Sequence, residues 1–171
     1  MNYELKWLRR IELQQLMNLT ARAFGLPSKN ILMLRYDEAL RAYAEYTSDN
    51  LHGGVTDQLL QRMNDEAYKT GKLLRKLFRL KDQSAIGQFV IALYRNIGIE
   101  LQGNIPGELC FSRCYFSKYY TPEICLAASA LDEGIMRGLS GDGKLIFRNR
   151  ITEGCNCCRA TFAHTGADTP A

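Results

Sequence analysis

Long apolar runs and familiar catalytic motifs are both missing from this sequence. No apolar run approaches the roughly 20 residues that a helix needs to cross a bilayer, and the first ten residues lack the apolar stretch of a signal peptide. Neither G-x-S-x-G nor H-E-x-x-H occurs, and the glycine-rich pieces match no phosphate-binding loop. We therefore expect a cytoplasmic protein without a membrane partner. The sequence gives no support to the enzyme classes that these motifs define.

Strong compositional bias is also missing. The chain has 171 residues, of which 46% are hydrophobic and 23% are charged, and its formal net charge is +4. These values are typical of a globular protein, and so mild a charge gives no reason to expect a nucleic-acid partner. Because there is no repeat or low-complexity linker, we expect one domain over residues 1–163 and a flexible tail over 164–171. The sequence leaves open whether the protein forms a homo-oligomer.

The order of local patterns predicts the fold class. Helical spacing of apolar residues predicts four helices in the first 100 residues, at Tyr3–Phe24, Tyr36–Asp49, 57–80 and 86–97. The remaining pattern predicts strands at Leu109–Tyr115, Leu145–Thr152 and Cys157–Ala163, with a helix at Pro122–Leu139 that Thr121 caps. The predicted class is α+β, with the N-terminal helices packed on one face of a small antiparallel sheet formed mainly by the C-terminal third.

The predicted helix Pro122–Leu139 has polar groups along one edge of its apolar face. At about 100° per residue, Cys125, Ser129 and Asp132 fall together on that edge. A carboxylate that is half out of water has a raised pKa and is a candidate general base, and a neighbouring thiol is a candidate nucleophile or ligand. The alternative is ordinary: a solvated or salt-bridged aspartate beside a cysteine that packs as a small hydrophobe.

Six cysteines raise the question of a metal site. Without a secretion signal, reduced thiols are the default. The spacings are C-x3-C for Cys110 and Cys114, and C-x-C for Cys155 and Cys157. Neither is a strong zinc signature, and on a strand Cys157 and Cys158 point to opposite faces. We therefore expect no metal or cofactor and keep zinc as the lesser alternative.

Basic residues on the final hairpin are candidate substrate contacts. Arg148 and Arg150 share a face if the strand is regular, and one of them could clamp a substrate carboxylate through two hydrogen bonds. A solvated outer face of the sheet is the alternative interpretation.

A family resemblance rests on the order and spacing of short motifs in the C-terminal third. The motifs are Cys114-Tyr115-Phe116, Pro122-Glu123-Ile124-Cys125, Leu131-Asp132-Glu133-Gly134, Gly138-Leu139, Phe147-Arg148, Ile151-Thr152-Glu153-Gly154 and Cys158-Arg159-Ala160-Thr161-Phe162. This pattern resembles the L-2-amino-thiazoline-4-carboxylic acid hydrolase family. The namesake reaction opens a cyclic amidine by attack of water on the carbon between nitrogen and sulfur.

The resemblance implies a role for each candidate residue. Cys125 or Cys158 would supply a thiol, and Asp132 would be the base or the partner of the amidinium group. Arg148 or Arg150 would contact the substrate carboxylate, with Ser129 as a further substrate contact. The implied function is a hydrolase acting on a small cyclic amidine or a related non-peptide C–N bond.

A more distant similarity supports a different function. The C-terminal motifs are also similar to the 4-vinyl reductase-type ligand-binding domain, some members of which hold zinc. Cys125 and Cys158 lie near two of the zinc-binding positions, but Arg148 and Ile151 stand where a glutamate and a cysteine are expected. The alternatives are therefore a non-catalytic small-molecule-binding sensor or accessory domain, and a structural metal-binding partner of a larger complex.

Overall fold

The computed structural model describes residues 2–164. In chain order, the elements are α1 (Asn2–Phe24), α2 (Tyr36–Leu51), α3 (Asp57–Leu77), α4 (Gln83–Asn96), β1 (Ile99–Gly103), β2 (Gly107–Cys114), α5 (Pro122–Ser140), β3 (Lys144–Asn149) and β4 (Cys158–Ala163). The strands form one antiparallel sheet in the order β1-β2-β4-β3. The predicted α+β class is confirmed.

The inner face of the sheet packs against the helices. Alternate residues of β2 and β4 are buried, and they meet buried residues of α1, α2 and α4 in the largest apolar cluster, which includes Leu109, Phe111, Ala160 and Phe162. The other face is exposed and carries charged pairs such as Arg113 with Glu100. None of the described helices is long and apolar enough to span a membrane.

The start of α5 follows the predicted capping chemistry. The Thr121 hydroxyl accepts a hydrogen bond from the Ile124 backbone nitrogen at 3.3 Å, and Pro122 occupies the first turn. The helix ends at Gly141, which has a left-handed backbone with φ of 95°. These local signals position the helix that carries Cys125 and Asp132.

One strand and several boundaries differ from the prediction. The strand β1 was missed, because its five residues directly follow a helix and only Ile99 and Leu101 are buried. The predicted strand Leu145–Thr152 ends at Asn149, where a register shift and a short 3₁₀ helix at Ile151–Glu153 replace it. Helix α3 ends at Leu77 rather than Leu80. Of the predicted tail, residues 165–171 lie outside the described part of the chain.

Helices α3 and α5 touch backbone to backbone. A Cβ atom added at Gly134 would collide with the Asn64 carbonyl oxygen, and one added at Gly138 would collide with the Tyr68 carbonyl oxygen. In the other direction, a Cβ atom at Gly71 would collide with the Ile135 carbonyl oxygen. Only glycine permits this approach, so these positions set the distance between the two helices.

We predict that Gly134→Ala destabilises the protein by about 2–4 kcal/mol, because the helices must separate to accept the methyl group. Urea unfolding followed by circular dichroism measures this change. The control is Gly87→Ala in α4, where an added Cβ meets nothing within 4 Å. That substitution should be neutral or stabilising by up to about 1 kcal/mol. Equal effects at the two positions would contradict the proposed role of the α3–α5 contact.

Candidate functional site

An apolar cavity of about 350 Å³ lies between α1, α3, α4 and α5. The aliphatic and aromatic groups that line it include Ile11, Leu16, Leu19, Tyr43, Leu74, Leu77, Phe78, Phe89, Leu93, Ile97, Ile99, Phe116, Leu131 and Ile135. Among the few polar groups are two carboxyl groups, those of Glu12 and Asp132, and two thiols, those of Cys114 and Cys125. A largely apolar cavity with a few convergent polar groups is the usual form of a small-molecule site.

Asp132 is the most perturbed carboxyl group of the cavity. The Tyr94 hydroxyl donates a hydrogen bond of 2.7 Å to its Oδ1. Burial raises the pKa of Asp132 from its usual 3.8 to about 6, although the Tyr94 hydrogen bond and the nearby Arg150 charge oppose that rise. The carboxyl group thus changes its charge just below neutral pH, where a general base is effective.

The thiols around Asp132 are not activated. Burial raises the pKa of Cys114 to about 12, and burial also raises the pKa values of Cys125 and Cys158. The Cys158 Sγ accepts a hydrogen bond of 3.2 Å from the Ile151 backbone nitrogen. Because the thiolate is the nucleophilic form, these side chains are weak nucleophiles at neutral pH.

Sequence analysis placed Arg150 within a strand, whereas in the structure it is a buried cation that lies just after β3. It is 7% exposed, and its guanidinium carbon lies 4.3 Å from the centre of the Phe147 ring. Its Nη1 donates a hydrogen bond of 3.1 Å to the Ser129 hydroxyl, which in turn donates to the Cys125 carbonyl oxygen at 2.9 Å. Within the described residues, no carboxylate lies within 4 Å of this guanidinium group.

The expected pairing of Arg148 with Arg150 on one face was wrong. The register shift after Phe147 ends the regular strand, so that Arg150 turns inward while Arg148 stays exposed. The Arg148 Nη2 atom lies 3.2 Å from Glu108 Oε1, and Arg148 does not line the apolar cavity. Only Arg150 is therefore positioned near the other candidate residues.

A second, more open cavity of about 650 Å³ lies between α3, α5 and β3. Ser129 and Arg150 line this cavity, together with Glu133, Arg137 and Lys144, whereas Cys125 and Asp132 line the apolar one. The predicted edge of α5 is thus shared between two cavities. Arg150 interacts electrostatically with both Cys125 and Asp132 from the side of the open cavity.

The other cysteines form no metal cluster in the described part of the chain. Cys110 lies beside Cys157, at the junction of β2 and β4, and all six cysteines are free. Between residues 2 and 164, no group of three or more histidine, cysteine, aspartate or glutamate side chains is arranged to hold a metal ion.

The chain matches no protein-family model and no curated protein. The structure brings five of the candidate residues into one region around α5, namely Cys125, Ser129, Asp132, Arg150 and Cys158. Tyr94 was missed by sequence reasoning. It belongs to the apolar stripe of α4, and nothing in that spacing indicates that its hydroxyl reaches Asp132.

We predict that Asp132→Asn stabilises the protein at pH 8. The pKa of Asp132 is raised in the folded state, so ionisation of this group costs stability above about pH 6 and costs nothing below about pH 4. The gain should be about 2–3 kcal/mol at pH 8 and should vanish as the pH falls to 4. Urea unfolding at a series of pH values measures it.

The matched control is Glu133→Gln, which removes the next carboxyl group along α5 from the open cavity. We expect a change within about 0.5 kcal/mol for this partly exposed position. A gain for Asp132→Asn that is independent of pH would contradict the burial of an ionised Asp132.

We also predict that Tyr94→Phe raises the pKa of Asp132 above 6, because the hydrogen bond from the hydroxyl favours the ionised carboxylate. Carbon-detected NMR titration of the aspartate carboxyl groups measures this directly. The control is Tyr46→Phe, which removes a hydroxyl that donates instead to the Pro27 carbonyl oxygen. An unchanged or lowered pKa in Tyr94→Phe would contradict the assigned contact.

Proposed function

We propose that this protein is a hydrolase acting on a small cyclic amidine or a related non-peptide C–N bond. In this proposal the ring of the substrate occupies the apolar cavity and its basic nitrogen pairs with Asp132. The observation that carries the proposal is a carboxyl group with a pKa of about 6 inside a cavity that is otherwise almost entirely apolar. Such a group is costly to bury and is therefore a candidate for function.

The chemistry of Asp132 suits this reaction. An amidinium cation in an apolar cavity is attracted strongly to an ionised carboxylate, because little water screens the pair. Water adds its oxygen to the amidine carbon and gives up a proton, for which Asp132 is the base. The C–N bond then breaks, and the proton passes to the leaving nitrogen. Tyr94 would hold the carboxylate in place through its 2.7 Å hydrogen bond.

We assign the attack on the amidine carbon to water, with Asp132 as the base, and not to either cysteine. The raised pKa values of Cys125 and Cys158 leave both thiols protonated at neutral pH. We therefore assign Cys125 to the wall of the cavity. Cys158 would be a positioning residue, since its Sγ accepts from the backbone of Ile151, next to Arg150. The reaction as proposed needs no metal.

Arg150 is the expected contact for a substrate carboxylate, but it lines the open cavity and not the apolar one, so in this proposal it acts as a nearby charge that favours ionised Asp132. Its guanidinium group is buried and has no carboxylate within 4 Å in the described part of the chain. The resemblance to the thiazoline carboxylate hydrolase family supports Asp132 as the base. The proposed location is the reducing cytoplasm, in which the six cysteines stay free thiols.

We predict that Asp132→Asn lowers kcat/KM on a hydrolysed cyclic amidine by about 10²–10⁴, the usual contribution of a general base. Wild-type kcat/KM should rise with pH through about 6, where Asp132 ionises. Chromatographic assay of ring opening measures both. Glu133→Gln should keep wild-type activity, and Cys125→Ser should lose less than about tenfold. A larger loss in Cys125→Ser would instead indicate a thiol nucleophile, and full activity in Asp132→Asn would exclude the proposed base.

The second candidate is a non-catalytic domain that binds a small apolar molecule. It is favoured by the cavity lining, in which aliphatic and aromatic side chains surround Asp132 and few polar groups are available for catalysis. In that case, Asp132→Asn would bind a neutral apolar ligand as well as the wild type does, and neither protein would open cyclic amidines. Ligand binding by calorimetry, beside the assay above, separates the two functions.

A further inference from the structure

The last turns of α3 and the residues after it carry an unusual concentration of positive charge. Residues 72–81, called the α3 tip below, contain five basic side chains and no acidic one: Lys72, Arg75, Lys76, Arg79 and Lys81. These five charges exceed the formal net charge of +4 for the whole chain. The remainder of the protein therefore has slightly more acidic than basic residues, and the positive field is concentrated at one end of one helix.

This charge is available to a partner. Lys72, Lys76, Arg79 and Lys81 are exposed, and none of the four lies within 4 Å of a carboxylate among residues 2–164. Elsewhere in the described part of the chain, by contrast, ion pairs bind surface arginines and lysines to carboxylates, for example Arg22 to Glu66. The α3 tip keeps its positive charges unpaired.

Large apolar side chains lie among these cations. Leu73, Leu77 and Phe78 are 64%, 67% and 55% exposed. Leu73 and Leu77 are one helical turn apart and so share a face, and the ring of Phe78 packs against Phe89 with the ring centres 4.9 Å apart. Exposing three such groups in one segment costs free energy unless a partner covers them.

The exposed groups also mark the mouth of the apolar cavity. Leu77 and Phe78 line the cavity and are more than half exposed, so the cavity reaches the surface at the α3 tip. An apolar molecule entering or leaving the cavity at this point would pass between these side chains. The cations and the entrance therefore belong to one surface.

We propose that the α3 tip docks on an anionic lipid bilayer, with Leu73, Leu77 and Phe78 inserted at the interface and the basic residues on the headgroups. Anionic headgroups attract lysine and arginine, while leucine and phenylalanine gain by entering the acyl boundary. The long stems of the basic side chains can lie along the apolar surface with their charges in the headgroup layer. This proposal departs from the expectation of no membrane partner, which rested on the lack of a membrane-spanning run and does not bear on surface binding.

Charge alone would also suit a nucleic acid, but the apolar residues favour lipid. A phosphate backbone offers no apolar phase in which Leu73 and Leu77 could be buried. Docking on a bilayer would bring the cavity mouth against the acyl chains. The inference is independent of the hydrolase proposal, because membrane docking requires neither Asp132 nor turnover.

The test is cosedimentation of the full-length protein with vesicles of phosphatidylcholine alone and of phosphatidylcholine mixed with phosphatidylglycerol. We expect binding to the mixed vesicles, weakening as salt is added, and little binding to phosphatidylcholine alone. Lys76→Glu should weaken binding on the order of tenfold. Its control, Arg62→Glu, makes the same change of charge at an exposed position of α3, about 21 Å away along the axis, and should bind like the wild type.

A second pair of variants tests the apolar contribution. Leu73→Ser should weaken binding to the mixed vesicles severalfold, whereas Leu126→Ser on α5 should not, although the two leucines are 64% and 62% exposed. Neither substitution removes a buried group, and circular dichroism verifies that each variant is folded.

Three results would overturn the proposal. The first is no binding to anionic vesicles at low salt. The second is an equal loss in Lys76→Glu and Arg62→Glu, which would mean that net charge, and not the α3 tip, governs binding. The third is retention on single-stranded RNA that Lys76→Glu abolishes and Leu73→Ser leaves intact, without vesicle binding, which would make this a nucleic-acid surface.

Discussion

The close contact between α3 and α5 is the constraint on which the rest of the structure depends. Gly71, Gly134 and Gly138 let the two backbones touch, and no larger residue could stand at these positions without separating the helices. This contact fixes how α5 lies against α3, and α5 presents Asp132 to the apolar cavity and Ser129 to the open one. A shift of either helix would change both cavities at once, because a single helix forms a wall of each.

The position of Asp132 lowers the stability of the fold but suits the proposed function. Placing this carboxyl group in apolar surroundings raises its pKa to about 6. Its ionisation at neutral pH therefore lowers the free energy of unfolding. A hydrophobic residue would fill the same space without that cost. Tyr94 and Arg150 offset part of the penalty, but neither removes it. Groups that are present in a fold although they lower its stability are typical of binding and catalytic sites.

Sequence reasoning predicted what is local and missed what depends on partners from distant elements. The Thr121 cap and the helical period located α5, and that period placed Cys125 and Asp132 on one edge. The same reasoning could not predict that Tyr94, 38 residues earlier, donates to Asp132, because periodicity assigns faces but not contacts between helices. It also treated the segment around Arg150 as a regular strand and missed the register shift after Phe147, although Asn149 at this point is a residue type common in turns. Arg150 was therefore expected to share a face with Arg148, whereas it is buried and Arg148 is exposed.

The net charge of the whole chain does not reveal how unevenly charge is distributed over the surface. A net charge of +4 is unremarkable when it is spread over 171 residues, but residues 72–81 account for more than all of it. Helix α3 thus changes character near its C-terminus. At Gly71 it is held against α5 by backbone contact, whereas the turns that follow are basic and carry exposed apolar side chains. The same helix forms part of the wall of the apolar cavity, so a partner bound at the α3 tip, as proposed, would lie beside the cavity that Asp132 lines.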